Sequence, residues 1–410
     1  MVSVRGEATT RDALAGIRVI ECGDFVAPSF ATKQLADLGA DVIKIEAPGR
    51  GDTARHRGPY AGGSDPDRSG FYLYLNTNKR GIVVDLERPD GREILARLAA
   101  GADLVVHNVA PAEIAARGLD DAKLRAANPR LVVTSISPFG LDGPNRDLRM
   151  HDVNLWAAGG AASLNGGGPG SDDMPPLKGF GHQSGFQAGL NAAVASLGAV
   201  YGALLSGQGQ LVEVSMQECV TSILEMAYEF YPYMGLVASR LGHKPIQPLD
   251  FLECKDGWIF ICCVEEHQWQ RFVELAGNPD WASMELFDNR ISRAANWDAL
   301  QIFLGEYAAE RTVDELYHEA QARRIPFAPV STMGDLLSSD HLKTRGFFAT
   351  VDDGAGGTVV MPGAPYLHAR TPWRIRKRAP RLGEDTDAVL AELGYDADAR
   401  ARLRDAGVIA

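Results

Sequence analysis

No run of lysine and arginine long enough to track a phosphate backbone occurs in this chain, whose formal net charge is -12 with acidic residues spread throughout. That excludes nucleic acid as an expected partner. The N-terminus, MVSVRGEATTRDALAG, has no continuous apolar core of the kind a secretory signal needs. Cysteine is scarce: five among 410 residues, at positions 22, 219, 254, 262 and 263. The odd number, the adjacent pair and the lack of metal-ligand spacing exclude a disulfide framework and a thiolate metal centre. They lead to the expectation of a reduced, cytoplasmic protein with no metal. Repeats, low-complexity tracts and long linkers are also missing. Only residues 186–206 are long and apolar enough to suggest a membrane span. Gln187, Asn191 and Ser196, among many Ala and Gly, make a packed core helix the expectation instead, with no membrane contact.

The chain is 45% apolar, enough for a substantial core and for two domains. Through residue 135, strand and helix alternate. Apolar strand runs are expected at 17–21, 41–45, 82–86, 104–106 and 131–133, with helices over 30–38, from Pro89 onward and around 111–117. Strands without polar alternation, joined by helices, indicate an α/β fold with a parallel sheet covered on both faces. A glycine-rich loop follows at 159–170, then the long small-residue helix and a strand at 211–214. From about Leu241 the texture changes: FLECKDGWIFICCV suggests a hairpin turning at Lys255-Asp256-Gly257, followed by amphipathic helices. The adjacent Cys262 and Cys263 serve there as small hydrophobes. The chain closes with a helix near 386–393.

Four stretches carry candidate chemistry. The loop Ala47-Pro48-Gly49-Arg50-Gly51-Asp52 follows the second strand, at the carboxyl edge where doubly wound sheets bind ligands, yet it matches no nucleotide-loop spacing. Asn76, Asn78, Lys79 and Arg80, before the third expected strand, could hold phosphates or form an ordinary polar turn. His151 and Asp152 could be an acid/base pair, or a structural histidine with Asp152 capping a helix. GHQSG at 181–185 is close to a nucleophile elbow, but Ser184 sits one position late and no clear strand precedes it.

In order, the segments LAGIRVIECGDFVAPSFATKQLADLGADVIKIEAPGRGD, NTNKRGIVVDLERPDGREIL, ADLVVHNVAPAEIAARGL, NPRLVVTSISPFGLDGP, GHKPIQPLDFLECKDGWIFICC and APRLGEDTDAVLAELGY resemble the family III CoA-transferases and their relatives, the α-methylacyl-CoA racemases. The resemblance covers nearly the whole chain. It implies a Rossmann-like large domain built from residues 1–225 and 336–410, a smaller α+β domain at 226–335, and two subunits interlocked as linked rings. It implies coenzyme A or acyl-CoA as substrate, near the subunit interface, and no tightly bound cofactor. In such transferases an aspartate attacks the acyl-CoA thioester to give a mixed anhydride, and CoA then passes through an enzyme thioester.

The family's aspartate falls, by this resemblance, on Gly185, which has no side chain to supply a nucleophile. His151 matches the catalytic histidine of the racemases, which also need the missing aspartate. Val26, Ala47, Asn76, Asn78, Lys79, Arg80, Asn108 and Arg117 fall in the CoA-binding frame. Ala47 replaces an arginine found in some transferases, Ala116 matches another with Arg117 displaced by one, and Pro28-Ser29 replaces a Gly-Pro. The expectation is a CoA-transferase subunit without its own nucleophile, acting on acyl-CoA and a carboxylic acid with a homologous partner that carries the aspartate. The succinyl-CoA:benzylsuccinate CoA-transferase type, of anaerobic aromatic degradation, is similar. The alternatives are a stand-alone racemase, isomerase or thioesterase using His151, Asp152 or His182, an interlocked homodimer, and a non-catalytic CoA-binding protein. Asp172 or Asp173 could also bring a replacement carboxylate.

Overall fold

The computed structural model describes residues 12–166, 173–240 and 247–410. Asp172, and part of the glycine-rich loop expected to line a pocket, lie outside the described residues. Six strands, β1 (Arg18–Cys22), β2 (Asp41–Glu46), β3 (Lys79–Val83), β4 (Leu104–His107), β5 (Val132–Ser137) and β6 (Leu211–Ser215), form one sheet in the order β3-β2-β1-β4-β5-β6. Every neighbouring pair is parallel. Helices α1 (Val26–Asp37), α2 (Gly70–Leu75), α3 (Pro89–Ala100), α4 (Asp121–Ala127), α5 (Asp152–Ala158) and α6 (Gln183–Ser206) connect and cover it.

The absence of polar alternation in the strands has a direct cause. Val19, Val42, Leu104 and Val132 pack beneath α1 and α6, while Ile20, Ile43, Val105 and Val133 pack beneath α3, α4 and the helix Thr386–Glu392. Successive side chains point to opposite faces, and both faces are buried. Small residues on α6 let it lie close to α1: a Cβ on Gly189 would stand 2.7 Å from the Ala27 carbonyl oxygen. The strand order reverses direction between β1 and β4, which opens a crevice at their carboxyl ends.

The third strand begins at Lys79 rather than at the apolar residues expected from 82 onward. A buried ion network explains the shift. Glu21 of β1 is fully buried and receives Lys44 Nζ at 2.6 Å, Lys79 Nζ at 2.8 Å, Ser29 Oγ at 2.7 Å and Thr32 Oγ1 at 2.6 Å. Burial alone would raise its carboxyl; the two lysines instead hold it well below the usual carboxylate range. Lys44 also pairs with Asp52 at 2.6 Å. Lys79, pushed down to about 8 by burial against the pull of Glu21, stays protonated at neutral pH.

The expected helix around 111–117 is a short 3-10 turn, Pro111–Glu113, and α4 follows it, capped by Asp120. The chain end returns to the sheet and covers the edge strand β3. Gly81 N–H donates to Asp385 Oδ2 at 2.9 Å, Val83 N–H to Thr386 Oγ1 at 3.1 Å, and Asp85 N–H to the Val408 carbonyl at 2.8 Å.

The chain divides into two compact units. The larger holds the sheet, residues up to Asn165, Pro176–Ala238 and Gly346–Ala410; the smaller holds Ser239–Arg345. These boundaries fall beyond the expected 226 and 335. In the small unit, β7 (Leu249–Glu253), β8 (Trp258–Cys262) and β9 (Ala328–Pro329) form an antiparallel sheet against helices Glu266–Leu275, Trp297–Ala309 and Val313–Ala322. Cys263 packs in that core with Phe272, Leu300 and Leu304, and all five cysteines are free.

Candidate active site

Two adjoining cavities of about 660 Å³ and about 530 Å³ open at the carboxyl edge of the sheet, both within the large unit. They share Asp24, Asn108, Ala110, Glu113 and Arg117. The smaller lies over the ends of β1 and β2, with Ala47, Arg50, Gly51 and Asp52 in its wall. The larger runs from the first turn of α1 to the first turns of α5 and α6, and contains Phe25, Val26, Arg57, His151, Asp152, Lys178, His182 and Gly185.

Local structure explains why the larger cavity is here. Phe25, just before α1, has φ 67 and ψ -137, a conformation that costs a side-chain-bearing residue about 1–3 kcal/mol. Its N–H is held by both oxygens of Asp52 at 3.2 Å. Asn108, after β4, clamps the same turn: its Oδ1 accepts from Asp24 N–H at 2.9 Å and its Nδ2 donates to the Asp24 carbonyl at 2.8 Å. The turn is thus fixed across the switch point, and α1 begins at the cavity.

His151 is the N-cap of α5, with its N–H on Asn154 Oδ1 at 3.0 Å and its side chain exposed in the cavity. Asp152 is the first residue of that helix. Its Oδ1 accepts from Gly185 N–H at 3.1 Å, so one carboxylate joins the starts of α5 and α6. Its Oδ2 lies 3.2 Å from Lys178 Nζ, yet accepts no hydrogen bond. The lysine ammonium is aimed instead at the carbonyls of Gly179 and Gly181. Ser184 is fully buried and donates to the Asp152 carbonyl at 3.1 Å, which removes it as a nucleophile.

His182 packs edge-on to Phe25 with ring centroids 4.7 Å apart, and beside Phe71 at 5.5 Å. Burial lowers its pKa; Asp152 opposes this, while Lys178 and Arg57 add to it. His182 is therefore neutral at pH 7. Its ring protons are expected to titrate with a midpoint below the ordinary 6.5, measurable by NMR of the full chain. A midpoint above that value would show that Asp152 outweighs burial and the two cations.

Gly185 is the third residue of α6 and lies within the helix, not in the turn before it. A Cβ there would stand 3.0 Å from Val26 Cβ and 3.1 Å from Val26 Cγ1. The space a side chain at 185 would take is thus already bordered by the valine.

Of the residues singled out by sequence, Val26, Asn108, Arg117, His151, Asp152, His182 and Gly185 meet at the larger cavity, and Ala47 lines the smaller. Arg117 is paired with Glu113 at 3.0 Å and Glu87 at 3.4 Å. Asn76, Asn78, Lys79 and Arg80 line neither cavity, a correction to the phosphate-holding expectation. Lys79 is enclosed by Glu21, the Ser29 carbonyl and Asn76 Oδ1, and Asn76 is itself buried. Asn78, at φ 64, ties Asp37 to the returning chain at Arg374, Arg376 and Lys377. Arg80 pairs with Asp41 at 2.7 Å and Glu392 at 2.8 Å.

Sequence reasoning missed Asp24, Phe25, Arg57 and Lys178. The turn after the first strand marked Asp24 and Phe25 by position alone; nothing in the pattern marks the other two. Among the described residues, no group of three or more His, Cys, Asp and Glu side chains could hold a metal.

A sheet in the order 3-2-1-4-5-6, with a cavity of this size at its switch point lined by carboxylates, cations and histidines, defines a small-molecule enzyme of the doubly wound α/β class. The model of CoA-transferase family III matches residues 14–386, and the chain belongs to that family. It is 33% identical over 400 residues to the succinyl-CoA:(R)-benzylsuccinate CoA-transferase subunit BbsE of Thauera aromatica, covering 93% of this chain and 94% of that one. It is 30% identical over 412 residues to the succinyl-CoA–L-malate CoA-transferase alpha subunit of Chloroflexus aurantiacus, covering 100% and 95%. The crystal structure of a CaiB/BaiF family protein from Brucella suis superposes with a TM-score of 0.84 at 29% identity, covering 94% of this chain and 100% of that one. CoA transfer is accordingly the activity of the family to which this fold and cavity belong.

Proposed function

We propose that this chain is one subunit of a CoA-transferase that moves CoA from a dicarboxylic acyl-CoA to a second dicarboxylic acid, together with a homologous chain that carries the family's aspartate. The observation that carries this reading is the start of α6: a glycine stands where the family places its nucleophile, and Val26 occupies the space beside it. Two relatives whose names include the word subunit, one for benzylsuccinate and one for malate, support both the partner and the dicarboxylic class.

The outer face of α6 adds support. Leu190, Val194, Tyr201 and Leu205 recur at helical spacing and are 48%, 66%, 66% and 72% exposed, an apolar stripe suited to cover by another chain. The five free cysteines accord with a cytoplasmic assembly. Coenzyme A is read here as substrate, entering across the smaller cavity toward the larger.

Proton-transfer and hydrolytic readings have less support. Ser184 is buried and bonded to the Asp152 carbonyl, and Asp152 itself is tied to the Gly185 N–H and to Lys178. Expression of this chain with its nearest homologous gene product is the test. The two are expected to co-purify and to transfer CoA from succinyl-CoA to a dicarboxylic acid. Replacing the partner's aspartate by asparagine is expected to lower that rate at least about a hundredfold. Transfer at the full rate of the pair by this chain alone would sink the reading.

A further inference from the structure

Among the described residues, five Lys and Arg side chains line the larger cavity, and four of them already face a carboxylate. Lys178 lies 3.2 Å from Asp152, Arg117 and Arg149 lie 3.0 Å and 3.2 Å from Glu113, and Arg146 lies 3.3 Å from Asp147. Arg57 is the exception. Its guanidinium has no ion-pair or hydrogen-bond partner among the described residues. Arg55, two positions earlier, shows the contrast: it is fully buried and pairs with Glu46 at 2.7 Å.

The place of Arg57 is nevertheless fixed by its backbone. The 3-10 turn Thr53–His56 is capped by Asp52, and Arg57 closes it with its N–H on the Ala54 carbonyl at 3.2 Å. The Arg57 carbonyl lies 2.5 Å from Oγ of the buried Ser69. The guanidinium carbon stands 5.8 Å from the ring centroid of Phe25, just before α1. Its charge also reaches His182, just before α6, whose pKa it helps to lower. An unpaired cation is thus held in the cavity beside two half-buried rings. Ring walls exclude water from one side, which strengthens a charge-assisted hydrogen bond made there.

We propose that Arg57 binds the remote carboxylate of a dicarboxylic ligand in this chain's own cavity, the carboxylate at the other end from the carbon that carries CoA. A planar guanidinium presents parallel N–H donors that match a carboxylate in two-point contact. A monocarboxylic acyl chain ends in a methyl group and leaves Arg57 without a partner. Because Arg57 is exposed, water meets it when no carboxylate is bound. Discrimination is therefore about tenfold to a hundredfold, below the 10⁴ or more of a sealed polar site.

The assignment rests on the dicarboxylic reading given above and does not need the partner's aspartate. Calorimetry with the purified full chain compares succinyl-CoA with butyryl-CoA, which carries a methyl group in place of the remote carboxylate. A second comparison, succinate against butyrate with CoA saturating, separates a carboxylate on the acyl donor from one on the free acid. Succinyl-CoA is expected to bind at least about tenfold tighter than butyryl-CoA, and Arg57→Gln to reduce that ratio to about twofold or less. Arg57→Lys keeps the charge without the planar fork and is expected to fall between. Since the Arg57 side chain ties down no other residue, both variants should melt with the wild-type chain. A preference confined to the free acids places the same contact on the acceptor. An undiminished preference in Arg57→Gln overturns the role of Arg57 and leaves the dicarboxylic reading standing. Equal binding within both comparisons by the wild-type chain, or no binding at all, overturns both.

Discussion

The double substitution Val26→Ala with Gly185→Asp is expected to give the chain alone a CoA-transfer rate well above that of Gly185→Asp by itself. Introducing an aspartate at 185 without making room should do little. The new Cβ would meet Val26 Cβ at 3.0 Å, Cγ1 at 3.1 Å and Cγ2 at 3.7 Å, so the valine must move. Val26 is almost fully buried in the first turn of α1 and is not free to swing aside. Overpacking of this kind costs about 1–3 kcal/mol, visible as a lower Tm for the single variant. Alanine removes both methyls and leaves one close contact that a small backbone adjustment can absorb. If that cost falls on the reacting geometry, its relief corresponds to a rate gain of about ten- to a hundredfold. An aspartate at the third position of α6 is otherwise well placed, at the positive end of the helix. Steady-state transfer by the purified chain is the measurement. Equal rates for the single and double variants would show that Val26 does not control the site.

The second large effect concerns stability. Glu21→Gln is expected to destabilise the large unit by about 3–5 kcal/mol, because it leaves two buried lysines facing a neutral amide. Lys44 keeps Asp52 as a partner at 2.6 Å, but Lys79 loses the carboxylate it pairs with. Removing Glu21 and Lys79 together, Glu21→Leu with Lys79→Met, is expected to recover much of that loss, since Lys44 keeps Asp52 and a buried ion pair trades near evenly with apolar packing. The pH dependence follows in sign. The folded Glu21 carboxyl is depressed below its unfolded value near 4.5, so its contribution is fully present above that pH and is lost as pH falls below it. Wild-type stability should therefore drop with acid below about pH 4.5, and the apolar double variant should show a shallower drop. Urea unfolding at a series of pH values checks both statements. A Glu21→Gln loss under about 1 kcal/mol would show that water or rearrangement relieves the lysines.

Much of the fold was legible in the chain. The apolar runs at β1, β2, β4 and β5 and the small-residue helix α6 follow from local pattern, because each strand is buried on both faces and each helix on one. The third strand was legible only in part. Lys79 and Arg80 read as a polar turn, and the partner that turns Lys79 into strand interior, Glu21, lies 58 positions earlier. The same distance hid the site. Phe25, Arg57, Lys178 and Gly185 share a cavity although they are spread over 160 positions of sequence, and no local pattern joins them.

By itself, then, the sequence determined the doubly wound architecture, the family, and the absence of an aspartate at 185, for these depend on residue type and order along the chain. Only the tertiary structure decided what that absence means. Val26 from α1 borders the space beside Gly185, Asp152 from α5 reaches the Gly185 N–H, Lys79 is enclosed at Glu21, and Arg80 pairs with Asp41 and Glu392. Each of these is a contact between segments far apart in the chain. Its geometry is set by how the helices pack on the sheet, which residue identity alone does not specify.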